Sequence, residues 1–337
     1  MEEVIRLAHG AGGKVMNDLI REVFATPLDN PYLRQMADSA VVEATDRNPR
    51  FAMSTDSFTV RPLIFPGGDI GSLAVHGTVN DVAMSGAHPL WLTAAFILEE
   101  GLAMETLERV VRSMAEAARE AGVQVVAGDT KVVEKGFGDG MYINTAGVGV
   151  VPEGVMIGPD RAQPGDVVLL SGTVGDHGIA VLSKREGLTF ETDLVSDSAA
   201  LNGLVASLLA AAPNVHCLRD PTRGGLAAAL NELADTSQAG IEIEEGAVPV
   251  RPAVAAACEM MGFDPLTVAN EGKVVVFVPP EEADEALHAL RAHPLGGNAA
   301  RIGVLTEEHP GMVLARTGIG GRRVVDMPLG ELLPRIC

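Results

Sequence analysis

Five aspartates, a lysine, a glutamate and a cysteine are the residues whose types and spacing could do chemistry in this chain. Asp56 stands in Ser54-Thr55-Asp56-Ser57, Asp69 in Gly67-Gly68-Asp69 and Asp81 in Val79-Asn80-Asp81. Asp129 stands in Ala127-Gly128-Asp129-Thr130, and Asp220 in Arg219-Asp220-Pro221-Thr222-Arg223-Gly224-Gly225. Each falls where a strand or turn is expected to end. Mg²⁺ takes a few carboxylate oxygens and fills its shell with phosphate and water. These five are therefore the candidate metal ligands, although a single Asp in such a place more often caps a helix or closes a turn. Asn80-Asp81 is more telling, because it interrupts a small, apolar helical segment where unpaired polar groups are costly. Lys131 follows Asp129 by two residues, and in an extended segment the two share a face. A metal-binding acid beside a phosphate-facing lysine suits a nucleoside triphosphate; a surface ion pair is the plain alternative.

His9-Gly10-Ala11-Gly12-Gly13-Lys14 precedes a helical stretch over 16–24. Gly10, Gly12 and Gly13 would let backbone approach a phosphate beside Lys14, at a helix N-terminus that favours an anion. Too few residues separate the first Gly from the Lys for a Walker loop, and a turn is an equal reading. Ala269-Asn270-Glu271-Gly272-Lys273 comes just before the most apolar strand of the second half. A glutamate at the mouth of a buried strand could be a base with a raised pKa; an ordinary loop acid carries equal weight. Cys337 is the last residue of Leu333-Pro334-Arg335-Ile336-Cys337 and one of only 3 cysteines. Tails are usually mobile, and a mobile thiol can take a group from one protein and present it to another. A frayed end with an incidental thiol is the rival reading.

Composition bounds the rest. A length of 337 residues predicts two domains. Hydrophobic content of 47% is ample for cores, but aromatics are only 4%, so Ala, Val, Leu and Met must do most of the packing. A formal charge of -20 disfavours nucleic acid as a partner and leaves carboxylates to bind metal. Cysteines at 217, 258 and 337 have no metal-finger spacing and no disulfide framework. The start, MEEVIRLAHGAGG, shows no signal peptide, and no apolar run of about 20 residues predicts a membrane span. A soluble, reduced, cytoplasmic protein is expected.

The elements that must position these residues alternate along the chain. Strands are expected over 51–55, 92–98, 123–127 and 141–150, and helices over 69–86 and 103–121, the latter ended by Gly122. A Pro- and Gly-rich boundary falls over 152–165. Beyond it, strands are expected over 167–170, 274–278 and 299–305, and helices over 176–185, 198–211, 223–235 and 281–293. Two α/β domains of mixed (α+β) sheet follow, over 1–155 and 156–316, with a mobile tail over 317–337.

These segments together resemble the HypE family of hydrogenase-maturation carbamoyl dehydratases, within the aminoimidazole ribonucleotide synthetase-like ATP-binding enzymes. The resemblance rests on HGAGGK (9–14), TDSFTV (55–60), FPGGDIGSLAVHGTVNDVAMSGAHP (65–89), FILEEG (96–101), AGDTKVVEKG (127–136), LRDPTRGGLAAALNELA (218–234), DPLTVANEGK (264–273) and PRIC (334–337). It spans the whole chain; the terminal PRIC with the aspartates is specific, whereas the glycine loop is not. It implies a homodimer formed through the N-terminal sheets. It also implies ATP and Mg²⁺ in a cleft lined by the aspartates, with the glycine loop, Asn80 and Thr130 on the nucleotide. Cys337 would receive a carbamoyl group from the carbamoyltransferase HypF. ATP-driven dehydration would leave a thiocyanate, and the cyanide would pass to iron on a HypC–HypD scaffold for [NiFe]-hydrogenase. Glu271 would be the base, Lys131 would steady charge or orient that base, and Arg335 would favour the Cys337 thiolate. A selenophosphate synthetase would need a reactive Cys near the N-terminus, and none precedes Cys217. A purine-pathway synthetase needs no terminal Cys. A non-catalytic scaffold with a docking tail would need neither the aspartates nor Lys131.

Overall fold

The computed structural model describes residues 13–19, 21, 40–43, 50–188, 194–330 and 333–337. After α1 (Lys14–Leu19) come β1 (Ala40–Glu43), β2 (Arg50–Phe58) and a short hairpin of β3 (Ile64–Phe65) and β4 (Gly68–Asp69). Next are α2 (Ile70–Met84), β5 (His88–Glu99), α3 (Met104–Ala121), β6 (Gln124–Val133) and β7 (Met141–Val151). The first sheet has the order β1-β2-β7-β5-β6. Only β5 and β6 run parallel, joined by α3 as a crossover.

One face of this sheet lies under α2 and α3. Val110, Met114, Ala117, Ala118 and Ala121 form the buried stripe of α3, and Gly122 closes it in the left-handed conformation (φ 72°). Most of α2 is buried and its residues are small. Ala52, Phe58, Leu92 and Ala94 point to the helices. Met53, Trp91 and Ile97, at alternate positions, are 49%, 44% and 45% exposed on the other face.

The second sheet is built from β8 (Val167–Leu170), β9 (Cys217–Arg219), β10 (Gly240–Glu244), β11 (Val275–Val278), β12 (Ala300–Thr306), β13 (Val313–Arg316) and β14 (Arg322–Val324). Its order is β14-β13-β10-β12-β8-β11-β9. The helices are α4 (Asp176–Glu186), α5 (Asn202–Ala211), α6 (Gly225–Ser237), α7 (Pro252–Met261) and α8 (Ala283–Ala292). Val168, Leu170, Val275 and Phe277 join the core under α6, while Val167, Leu169, Val276 and Val278 join the core under α5 and α8. Burial on both faces is why β8 and β11 read as unbroken apolar runs.

Two expectations change. The segment set apart as a tail over 317–337 begins inside the second sheet, since β14 pairs antiparallel with β13. Its end is docked rather than loose: Leu333 and Ile336 are buried in a core that also holds Val60, Ile70 and Ile179. Apolar side chains that would otherwise meet water hold it there. The helix expected from 198 starts only at Asn202, because the Leu201 amide donates to Asn80 Oδ1 at 2.7 Å.

Candidate active site

The site forms where the end of β2, the helix α2 and two loops of the second unit meet. Asp56, near the end of β2, and Asp81, on α2, approach from the first unit. Ser54 Oγ donates to Asp81 Oδ2 at 2.6 Å, fixing that carboxylate over the sheet. From the second unit come Asp220 and Arg223, in the loop between β9 and α6, and Glu271, just before β11. Glu271 and Asp220 are only 4% and 8% exposed.

Electrostatics tie these groups together. Burial pushes the Glu271 carboxyl well above the usual range, and the charges of Asp220, Asp56 and Asp197 add to the rise against Arg223. Glu271 Oε1 is buried with no hydrogen-bond partner. Burial also raises Asp56, opposed by Arg223 and by the Ser57 amide. The Arg223 guanidinium is raised, first by the negative charge of the terminal residue Cys337, then by Asp56, Glu271 and Asp81, against the effect of burial. Arg223 is thus the cation at the centre of an acid-rich cleft, with Cys337 beside it.

The Glu271 loop is held closely. Its amide donates to Asp197 Oδ1 at 3.1 Å, and Asp197 Oδ2 pairs with Lys273 Nζ at 2.9 Å. A Cβ at Gly272 would come within 1.8 Å of Asp197 O, so only glycine lets the two segments lie together.

The thiol-bearing segment lies along residues 59–61. The Thr59 amide donates to Cys337 O at 2.9 Å and the Arg61 amide to Arg335 O at 3.1 Å. Arg335, expected as the thiol's cation, is engaged by other groups. Its guanidinium is taken up by Asp139 and by Thr59 O at 2.9 Å, and lies over the Tyr142 ring. Cys337 acts electrostatically on Arg223, which sequence reasoning passed over although it stands three residues after Asp220 in the same motif.

The remaining expected residues divide. Asn80 spends its amide on backbone rather than on a nucleotide: Nδ2 donates to Ala199 O and Glu271 O, and Oδ1 accepts from the Leu201 amide. Asp69 is the N-cap of α2, accepting from the Gly71 and Ser72 amides in a capping box. Asp129, Thr130 and Lys131 do not join the cleft. Asp56 pairs with Thr145, Thr145 with Ala94 and Ala94 with Gly128, which puts β6 about 14 Å across the sheet. Asp129 and Lys131 pair with Ala95 and Ile97, on the face away from α2. There they form an exposed ion pair at 2.6 Å, and Lys131 holds the Asp129 carboxyl below its usual range. Gly13 and Lys14 pack against residue 328, with the Lys14 amide donating to Pro328 O at 3.0 Å. Gly10 and Gly12 lie outside the described residues.

Among the described residues no three or more His, Cys, Asp or Glu side chains gather closely enough to hold a metal ion by themselves. The donor set still fits Mg²⁺ that arrives with phosphates, since that ion needs only one or two protein carboxylates. Asp56, Asp81 and Glu271 act on Arg223, and Asp220 acts on Glu271, so the cleft holds more negative charge than its one arginine offsets.

Comparison with known proteins agrees along the whole chain. Residues 36–151 match the N-terminal domain of AIR synthase related protein, and residues 163–314 match its C-terminal domain. A protein of Cupriavidus necator named carbamoyl dehydratase HypE is 57% identical over 333 residues, covering 99% of this chain and 95% of its own length. The protein of that name from Escherichia coli is 49% identical, with 99% of each chain covered. A crystal structure of hydrogenase maturation protein HypE in complex with ATP superposes with a TM-score of 0.83 at 51% identity, covering 99% of this chain and 100% of that one. A HypE–HypF complex gives 0.87 at 52%, covering 92% and 99%. Thiamine monophosphate kinase from Aquifex aeolicus, at 22% identity and a TM-score of 0.65, shares the fold.

Proposed function

Because the chain belongs to the HypE family of carbamoyl dehydratases, within the AIR synthase related proteins, we propose that it dehydrates a carbamoyl group carried on its own Cys337. The thiocarbamate S–C(=O)–NH₂ becomes a thiocyanate S–C≡N, two N–H bonds and the C–O bond being broken. The observation that carries this reading is the docked Cys337, held by Thr59 and set beside Arg223 in the cleft of Glu271 and the aspartates.

ATP bound with Mg²⁺ supplies a phosphate on the amide oxygen, making it a leaving group while the ion offsets phosphate charge. Asp56, Asp81 and Asp220 would hold the ion. Glu271 takes a proton from the carbamoyl nitrogen, and its buried, unpartnered Oε1 supports that role. Arg223 offsets charge building on the reacting group.

Lys131 enters from a second copy in this reading. It lies on the open face of the first sheet with Met53, Trp91 and Ile97. An apolar face of this kind suits pairing of two copies. The donor is HypF, the partner in the superposed complex, and the acceptor is an iron-bearing HypC–HypD scaffold. Among the described residues no helix is long and apolar enough to cross a membrane, and we place the reaction in the cytoplasm.

Intact-mass analysis with the carbamoyl donor, with and without ATP, tests the reading. A carbamoyl gain on Cys337, followed by loss of one water only with ATP, is the expected result. No modification of Cys337 would sink it.

A further inference from the structure

The last four residues are gripped by their backbone. Pro334 O accepts from Arg185 Nη1. Arg335 O accepts from Arg185 Nη2 at 2.7 Å and from the Arg61 amide at 3.1 Å. Ile336 O accepts from His177 Nε2 at 2.8 Å. Cys337 O accepts from the amide and hydroxyl of Thr59, at 2.9 and 3.1 Å. Every carbonyl from 334 to 336, and one terminal oxygen of Cys337, therefore has a donor.

Two of these donors, His177 and Arg185, stand on α4. They are eight residues apart, about 12 Å along the axis; the long arginine side chain brings its fork back to the tail. Arg185 also donates through Nε to Arg61 O at 2.8 Å, so one guanidinium joins the second unit, the 59–61 segment and the tail. His177 is fully buried, and its Nδ1 faces Ser196 Oγ at 2.7 Å. The Ser196 oxygen itself accepts from the Ser198 amide. Ile336 O can only accept, so the proton of a neutral imidazole lies on Nε2 and the Ser196 hydroxyl donates to Nδ1.

We propose that Arg185 and His177 are positioning residues for the dehydration, a main-chain clamp that seats Cys337 in the cleft and must open before the thiol can meet another protein. The proposal rests on the reading of Cys337 as carrier. Because the grip falls on carbonyl oxygens, it is the same whether sulfur bears a proton, a carbamoyl group or a cyano group. The clamp can therefore hold the tail in every state of the cargo.

The test is alkylation of the native full-length protein by iodoacetamide, read site by site by mass spectrometry. Buried Cys217 and Cys258 are the internal controls. R185Q loses charged hydrogen bonds and should raise the alkylation rate of Cys337 at least about tenfold, with a smaller rise for R185K. H177N should also raise it. In single-turnover assays on preloaded protein, R185Q should slow dehydration by a similar factor while carbamoyl loading is not slowed. Unchanged alkylation in both R185Q and H177N would overturn the clamp. So would a rise shared equally by Cys217 and Cys258, which would mean general loosening. Alkylation needs no activity, so a failure of the dehydratase reading would show separately, as absence of water loss in the unaltered protein.

Discussion

The side-chain amide of Asn80, on α2 of the first unit, donates to the carbonyl oxygen of Glu271, in the second unit, at 3.3 Å. One asparagine thus ties the Glu271 loop to the helix that carries Asp81. N80D would keep the acceptor for the Leu201 amide but turn a donor toward two carbonyl oxygens into a charge. Stability should fall by about 2–3 kcal/mol, read as a lower denaturant midpoint. Dehydration should fall with it, because the position of Glu271 is lost.

Glu271→Gln should separate activity from stability. Removing the base should slow dehydration about 10²–10⁴-fold, with carbamoyl loading intact. The stability effect has the opposite sign. The folded carboxyl binds its proton more readily than the unfolded one. Wild-type stability therefore drops as pH rises from the ordinary glutamate value to the raised one, and stays low above it. The glutamine carries no such cost. E271Q should melt a few degrees higher at neutral pH, and the gain should vanish below about pH 4. A lower melting temperature at neutral pH would contradict this.

Mixing two dead variants probes where Lys131 acts. Lys131 lies across the first sheet and on its far face from Asp56. If a second copy supplies it, K131A and E271Q protomers complement each other. Half of the mixed dimers are hybrids, each with one complete site, so about a quarter of the wild-type rate should return. Mixtures as inactive as their parents would place Lys131 in its own chain's site, and a fully active K131A would place it outside the reaction.

His76 sets an acid limit. It is buried on α2, with Nδ1 2.9 Å from Ser198 Oγ, and burial lowers its pKa to about 4. The unfolded chain takes up this proton below about pH 6.5, whereas the folded chain does not until about pH 4. Stability should therefore decline as pH falls across that window, by at most about 3 kcal/mol. H76Q should flatten the decline in a pH series of denaturant midpoints.

Much of the scaffold was legible. The stripe of α3 with Gly122 behind it carries a helix and its stop in local sequence, and the apolar runs of β8 and β11 betray burial on both faces. Glu271, Asp56, Asp81 and Asp220 could be marked as chemical because acids beside glycines and strand ends are visible without a fold. Their gathering in one cleft was not, since it depends on two units meeting. Arg185 and His177 were hidden for a related reason: they grip main-chain oxygens 149 to 159 residues away. No periodicity encodes such a partner. Asp129 and Lys131 misled in the opposite direction. Their spacing announced a shared face, as the strand bears out, but not which side of the sheet that face would be.

The two sheets share part of their interior. Phe58, Leu73 and Val110 of the first unit share one core with Ile179, Val181 and Val254 of the second. Ala83 and Met84 likewise enter the core of Leu204 and Leu208. Neither half can bury all of its apolar side chains without the other. Cutting the chain within 152–165 should yield fragments that aggregate apart, and the intact protein should melt in a single cooperative calorimetric peak.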